Sequence, residues 1–241
     1  MPELPISESA VAAALPVAPA PAPFADVLSP RPPWAAPLAR SPIAAVEPVT
    51  VMVGWQVSAV RATSTELTLT DCTPMAKVAL AARRAKVCGV RFGRAARDPA
   101  GTLVVGSGPG EWLLIGPPGQ APALATGLEA LIGPDAAQDG ATWVDLTHGR
   151  ALIRLTGRRT VDVLARLSAI ELSDELVPDG AALRTAVAAV ATDVIRDDTG
   201  GIRSYLLHCE RSVGQYLFDA VLRAGAEFGI EIDGLRLPGP A

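Results

Sequence analysis

Few side chains in this sequence are able to do chemistry, and they lie far apart. There are two histidines, His148 and His208, and three cysteines, Cys72, Cys88 and Cys209. His148 follows Asp145 by three residues, a spacing at which a carboxylate and an imidazole at a strand end either meet or diverge. A nucleophilic triad would also need a placed serine, and Ser107 lacks the G-x-S-x-G elbow that exposes one. His148 is therefore expected to be structural, bonding a backbone carbonyl, and His208, inside an apolar strand, to be structural as well. The other acidic candidates are Asp193, Asp197 and Asp198. Paired carboxylates perform acid/base work when burial separates their pKa values. Asp197 and Asp198 open the turn D-D-T-G-G, where solvation is expected to keep both ionised.

The run Gly106-Ser107-Gly108-Pro109-Gly110 invites comparison with phosphate-binding loops. A dinucleotide loop needs G-x-G-x-x-G opening a helix, so that helix-end amides meet the phosphates. Here Pro109 removes a donor, a strand is expected to follow, and no lysine stands where a P-loop needs one. Turn glycines are the reading. The cysteines are odd in number and form no C-x-x-C pair, which does not describe a disulfide framework or a zinc site. No metal site is expected.

The elements that must position these groups centre on residues 106–118 and 143–155, both read as strands delivered by tight turns. Residues 1–48 hold twelve of the 22 prolines and are expected to be a disordered or polyproline-II arm, with the folded domain running over 49–241. Strands are expected at 49–60, 63–70, 86–92, 103–105 and 202–209, and two more within the Ala- and Val-rich stretch 181–195. Residues 71–74 read as a turn and 94–101 as a polar loop. Helices are expected at 75–84, 122–132 and 159–170, the last turning Val161, Leu164, Ala165 and Ser168 inward. A final helix starts from a capping box, Ser212 with Gln215, and stops at Gly229. Its buried stripe is Val213, Leu217, Ala220, Val221, Ala224 and Phe228. The order implies an α+β fold without repeated βα units.

Composition bounds the function. The chain is 49% apolar but only 4% aromatic, so Leu, Val and Ile must fill the interior. A net charge of −4 argues against nucleic acid, whose phosphates need clustered Lys and Arg. The one basic cluster, Arg83, Arg84 and Lys86 with Arg91, Arg94 and Arg97, lacks interleaved aromatics and reads as a solvated face. No apolar run reaches the roughly 18–20 residues of a membrane span. Glu3 precedes any positive side chain, unlike the basic start of a signal peptide, and a cytoplasmic location is expected.

Several segments resemble one family. Residues 108–114, G-P-G-E-W-L-L, resemble the G-P-D-E-W-L-L signature of the gamma subunit of heterotetrameric sarcosine oxidase, with Gly110 where aspartate is usual. Residues 144–148, V-D-L-T-H, are similar to that family's next segment. Leu155-Thr156-Gly157 before residues 161–164 is similar to its L-S-G and helix. Glu210-Arg211-Ser212 with Tyr216-Leu217 resembles its R-S…Y-L-W element, with Phe218 replacing tryptophan. The resemblance covers residues 71–229 and implies a T-protein-like α+β fold of antiparallel sheets with flanking helices, as in folate-binding aminomethyltransferases. It implies a non-catalytic assembly subunit of a flavin-dependent complex that oxidatively demethylates sarcosine, partnered by alpha, beta and delta subunits. FAD, FMN, NAD and tetrahydrofolate would belong to those partners, and none to this chain. Gly108, Glu111, Trp112, Asp145, His148, Gly157, Arg211 and Ser212 carry the signature and are candidates for structural or interface roles. T-proteins hold folate with an aspartate after a Gly-Gly turn; here Arg203 follows Gly200-Gly201. A stand-alone folate-binding protein remains the alternative.

Overall fold

The computed structural model describes residues 37–82, 89–132 and 140–237. Their strands form three sheets. The first is small, with β1 (Ala39–Arg40), β2 (Val49–Met52) and β3 (Trp55–Ser58) in the order β1-β3-β2. The segment read as one strand over 49–60 is thus a hairpin, broken at Val53-Gly54, where both φ angles are positive. The chain also enters the fold before Val49, because β1 pairs with β3 and Ile43 is buried in the core. The expected arm over residues 1–36 lies outside the described residues.

The remaining elements build two larger antiparallel sheets. They are β4 (Leu67–Asp71), β5 (Ala76–Ala81), β6 (Ala95–Arg97), β7 (Leu103–Gly108), β8 (Glu111–Gly116), α1 (Ala121–Ile132), β9 (Thr142–Asp145), β10 (Arg150–Gly157), α2 (Thr160–Leu167), β11 (Ala182–Val187), β12 (Val190–Arg196), β13 (Ser204–Glu210), α3 (Gly214–Gly225) and β14 (Glu231–Ile232). One sheet runs β11-β12-β13-β10-β4-β14 and the other β6-β7-β8-β5-β9. Among the described strands of these two sheets, only β14 joins its neighbour in parallel. The α+β class agrees with expectation, and the segments 106–118 and 143–155 hold strands as expected, the end of β7 with β8 in the first and β9 with β10 in the second.

Three further expectations are corrected. Residues 76–81 form β5, a central strand between β8 and β9, where a helix was expected; the alternating Ala76, Val78 and Leu80 bury one face. Residues 95–97 form β6 rather than polar loop, because an edge strand needs only one partner. The α2 face is Thr160, Val163 and Leu164, while Ala165 points to solvent. The strand expected at 86–92 lies partly outside the described residues, and Phe92 makes one isolated bridge to Gly106.

Alternation along the strands assigns every side chain to a layer. In β10, Ala151, Ile153 and Leu155 join Val163, Leu164, Leu217 and Val221 in the core beneath α2 and α3. Leu152 points the other way and meets Leu206, Ile195, Leu113 and Ile115, between the two large sheets. A third core packs Val78, Leu80, Val104, Trp112 and Leu114 against Leu128 of α1. The layers are therefore α1, sheet, sheet, and α2 with α3. The inter-sheet layer carries the polar groups described next.

Candidate functional site

Register alone brings three charged or titratable side chains together on the inter-sheet face. Two-residue turns join β11 to β12 and close the β12–β13 hairpin, where Thr199 bridges Ile202 across Gly200-Gly201. Glycines at positive φ suit such a turn, because its handedness matches the strand twist. Counting outward sets Asp193 opposite His208, and Arg184 opposite Asp193. The result is a cross-strand ladder, Arg184–Asp193–His208.

The ladder is tightly bonded. Arg184 Nε donates to Asp193 Oδ1 at 2.6 Å, and His208 Nδ1 lies 2.9 Å from Asp193 Oδ2. Burial pushes the Asp193 carboxyl up, but hydrogen bonds from His208 and Arg184 outweigh it and hold the group below the ordinary carboxylate range. Burial pushes the His208 imidazole down, more than the bond to Asp193 raises it, so the ring is neutral at pH 7. A neutral ring beside an ionised carboxylate carries its proton on Nδ1. Nε2 is then a free acceptor, and it is buried without a hydrogen-bond partner. Leaving such a group unpaired costs about 1–3 kcal/mol. Chemically, the pair is an oriented imidazole able to accept a hydrogen bond or a proton at Nε2.

His208, Asp193 and Arg184 line a cleft of about 310 Å³ with Ala79, Ala81, Ser107, Glu111 and Leu113 on the facing sheet. The signature residue Glu111 thus sits across from the ladder, and it has no ion-pair or hydrogen-bond partner among the described residues. The sequence names Asp193 as an acidic candidate and His208 as a structural histidine, without joining the two. The signal that finds them is the register counted from Gly200-Gly201.

The other signature residues serve local structure. Trp112 donates its indole N–H to the carbonyl of Val90, 2.9 Å away, within the α1 core. At Gly108 a Cβ would come within 2.7 Å of Glu111 Oε2, and at Gly157 within 2.1 Å of the Glu66 carbonyl oxygen. Asp145 Oδ1 accepts the Thr147 amide at 2.8 Å, closing its own turn, and does not orient His148. His148 instead stacks on Trp55, with ring centroids 4.6 Å apart and planes 9° from parallel. Arg211 Nη2 donates to the Arg40 carbonyl at 2.6 Å, tying β1 to the start of the last helix. Ser212 is exposed and makes no cap; a 3₁₀ turn at Arg211–Val213 precedes α3, and Gln215 Oε1 accepts from Ala44 N, not from a capping box.

The carboxylates of the D-D-T-G-G turn are not solvated as expected. Asp197 is nearly buried and accepts from Arg97 and Arg154, each at 2.6 Å. Asp198 takes a bidentate bond from Arg196 at 2.9 and 3.1 Å. Arg203, which follows the turn, pairs with Asp174. Cys72 and Cys209 are buried free thiols, both pushed up to about 11 by burial. Cys88, Arg83, Arg84 and Lys86 lie outside the described residues. No cluster of three metal-ligating side chains occurs among the described residues, and no helix there is long and apolar enough to cross a membrane.

The fold is that of T-protein-like α+β proteins. It superimposes on a chain of the heterotetrameric sarcosine oxidase from Corynebacterium sp. U-96 in complex with pyrrole 2-carboxylate, with a TM-score of 0.58 and 22% identity, over 70% of this chain and 89% of that one. It superimposes also on the glycine cleavage system aminomethyltransferase T from Bartonella henselae, with a TM-score of 0.61 and 16% identity, over 82% of this chain and 60% of that one. The chain thus spans 60% of the aminomethyltransferase, somewhat less than two thirds. The sequence itself matches no protein-family model and no curated protein.

Proposed function

We propose that this chain is a non-catalytic assembly subunit of a heterotetrameric, flavin-dependent sarcosine oxidase, acting with alpha, beta and delta subunits in the cytoplasm. The observation that carries the reading is the shared fold over 89% of a sarcosine oxidase chain, joined to the ordered signature segments. The site chemistry supports it: the acids near the Gly200-Gly201 turn, Asp197 and Asp198, precede it and are saturated by Arg97, Arg154 and Arg196, and Arg203 follows the turn where the resemblance would want an acid. Arg203 there is positive. FAD, FMN, NAD and tetrahydrofolate belong to the partner subunits, and this chain supplies surface. Exposed Val51, Val53, Phe92, Leu176 and Tyr216 give apolar area for packing on them. Co-expression with candidate alpha and beta subunits, followed by size exclusion with absorbance at flavin wavelengths, tests the reading. A yellow complex containing this chain is the expected result; colourless elution on its own overturns it.

A second reading, a stand-alone folate-binding protein, is favoured by the superposition over 82% of this chain on an aminomethyltransferase. Titration calorimetry with tetrahydrofolate decides it. Heat of binding at millimolar ligand or below supports the second reading, and no heat removes it.

A further inference from the structure

The inter-sheet cleft is built as a site and is not explained by a role in assembly. Ala79 and Ala81 leave a shallow apolar floor where larger side chains would have closed the two sheets together. Opposite them, the Nε2 of His208 is buried and unpartnered, while its Nδ1 is held by Asp193. A ligand filling this place must present an N–H or O–H donor to Nε2.

Charge narrows the class further. Two arginines line the cleft, and both are already neutralised. Arg184 is paired with Asp193, and Arg150 with Glu210 at 2.5 Å. Glu111 at the rim feels the field of Arg184 but makes no ion pair or hydrogen bond among the described residues, which leaves its carboxylate open to a ligand. Among the described residues an anion would find no unpaired cation there, whereas an ammonium meets Glu111. A second, much smaller depression shares Ser107, Leu113, Arg184 and Asp193 with the cleft and is lined also by the exposed ring of Phe92. That ring is a surface for an aromatic or aliphatic body.

We propose that this cleft binds a small organic ammonium, its N–H groups shared between His208 Nε2 and Glu111 and its apolar body lying on Ala79, Ala81 and Leu113. The site is complete within this chain and needs no partner subunit, so its test is separate from the assembly experiment. With two histidines in the sequence, the imidazole nitrogens of the full-length ¹⁵N-labelled protein can be assigned by H148Q and followed by NMR. Benzylammonium is the probe, with benzoate as its anionic counterpart. The expected result is a saturable shift at His208 Nε2, with His148 unmoved, a Kd below about 1 mM, and no response to benzoate. Glu111→Gln, on the exposed rim, is expected to weaken binding about tenfold or more, and Ala81→Leu, which fills the floor, to abolish it. No saturable shift up to about 10 mM benzylammonium overturns the proposal. So does binding unchanged in Glu111→Gln, or a preference for benzoate.

Discussion

Lys77 is fully buried on β5, and its ammonium donates to the carbonyls of Thr73 and Met75 at 2.6 and 2.8 Å. Burial outweighs the attraction of Asp71, Cys72 and Asp145 and lowers its pKa from 10.5 to about 8. Between those values the unfolded chain holds a proton that the folded chain has released, so stability rises with pH through that window. The gain from Lys77 between pH 7.5 and 9 is about 1 kcal/mol. Lys77→Met removes it, and urea denaturation of both proteins at the two pH values measures the difference. A slope equal in both would refute the assignment. The Cys72 and Cys209 thiols act oppositely as the pH approaches and passes 9, where the unfolded thiols ionise and the folded ones, pushed up to about 11, do not; that contribution is common to the wild type and Lys77→Met, so the difference between their slopes isolates Lys77. Some residue-scale information was open to reading from the sequence alone. The Gly200-Gly201 turn is recognisable, and its register places Asp193 beside His208 without any structure. The stacking of His148 on Trp55 was not accessible, because it joins residues 93 positions apart through tertiary packing.

Turns decide how the elements come together, and they differ in how openly the sequence announces them. The β12–β13 turn uses glycines, whereas the β11–β12 turn uses Ala188 and Ala189 at φ angles of 49° and 64°. An L side chain in that region is strained by about 1–2 kcal/mol, so nothing in V-A-A-V marks a turn. Ala189 is exposed, and Ala189→Gly is expected to raise stability by about 1 kcal/mol, seen as a higher urea midpoint with an unchanged m-value. The opposite holds at the end of β10. Gly157 has φ 134° and lies against the Glu66 carbonyl, so Gly157→Ala is expected to cost more than about 3 kcal/mol, read as a fall in Tm. Gly127 gives the control: a Cβ there meets nothing within 4 Å, and Gly127→Ala in α1 is expected to stabilise by about 0.5–1 kcal/mol. The last helix shows the limit of local signals. The S-x-x-Q spacing is present, but Gln215 is drawn to the Ala44 amide and to Asp219, because tertiary partners outcompete a cap in this geometry.

The compact unit begins at Leu38, well before the end of the proline-rich composition. Residues 37–48 keep Pro37, Pro42 and Pro48, so composition assigns them to the arm, while three contacts assign them to the fold. Ile43 is 3% exposed and sits in the core with Leu217, Phe218 and Leu69. The Arg40 carbonyl accepts from Arg211, and the Ala44 amide donates to Gln215, so this segment clamps the start of α3. Pro42 also packs close to Gly214, where a Cβ would come within 3.0 Å of its ring. Burying an isoleucine is worth about 1.5–3 kcal/mol, and each hydrogen bond roughly 0.5–1.5 kcal/mol. Two truncations separate composition from contact. A chain beginning at Leu38 keeps the clamp, and one beginning at Val49 loses it, together with β1. The second is expected to be less stable than the first by about 3–5 kcal/mol, and to show faster amide exchange in the first turn of α3. Equal stability of the two would mean that the domain begins where its prolines end, and that the contacts of Ile43 and Arg40 contribute nothing to folding.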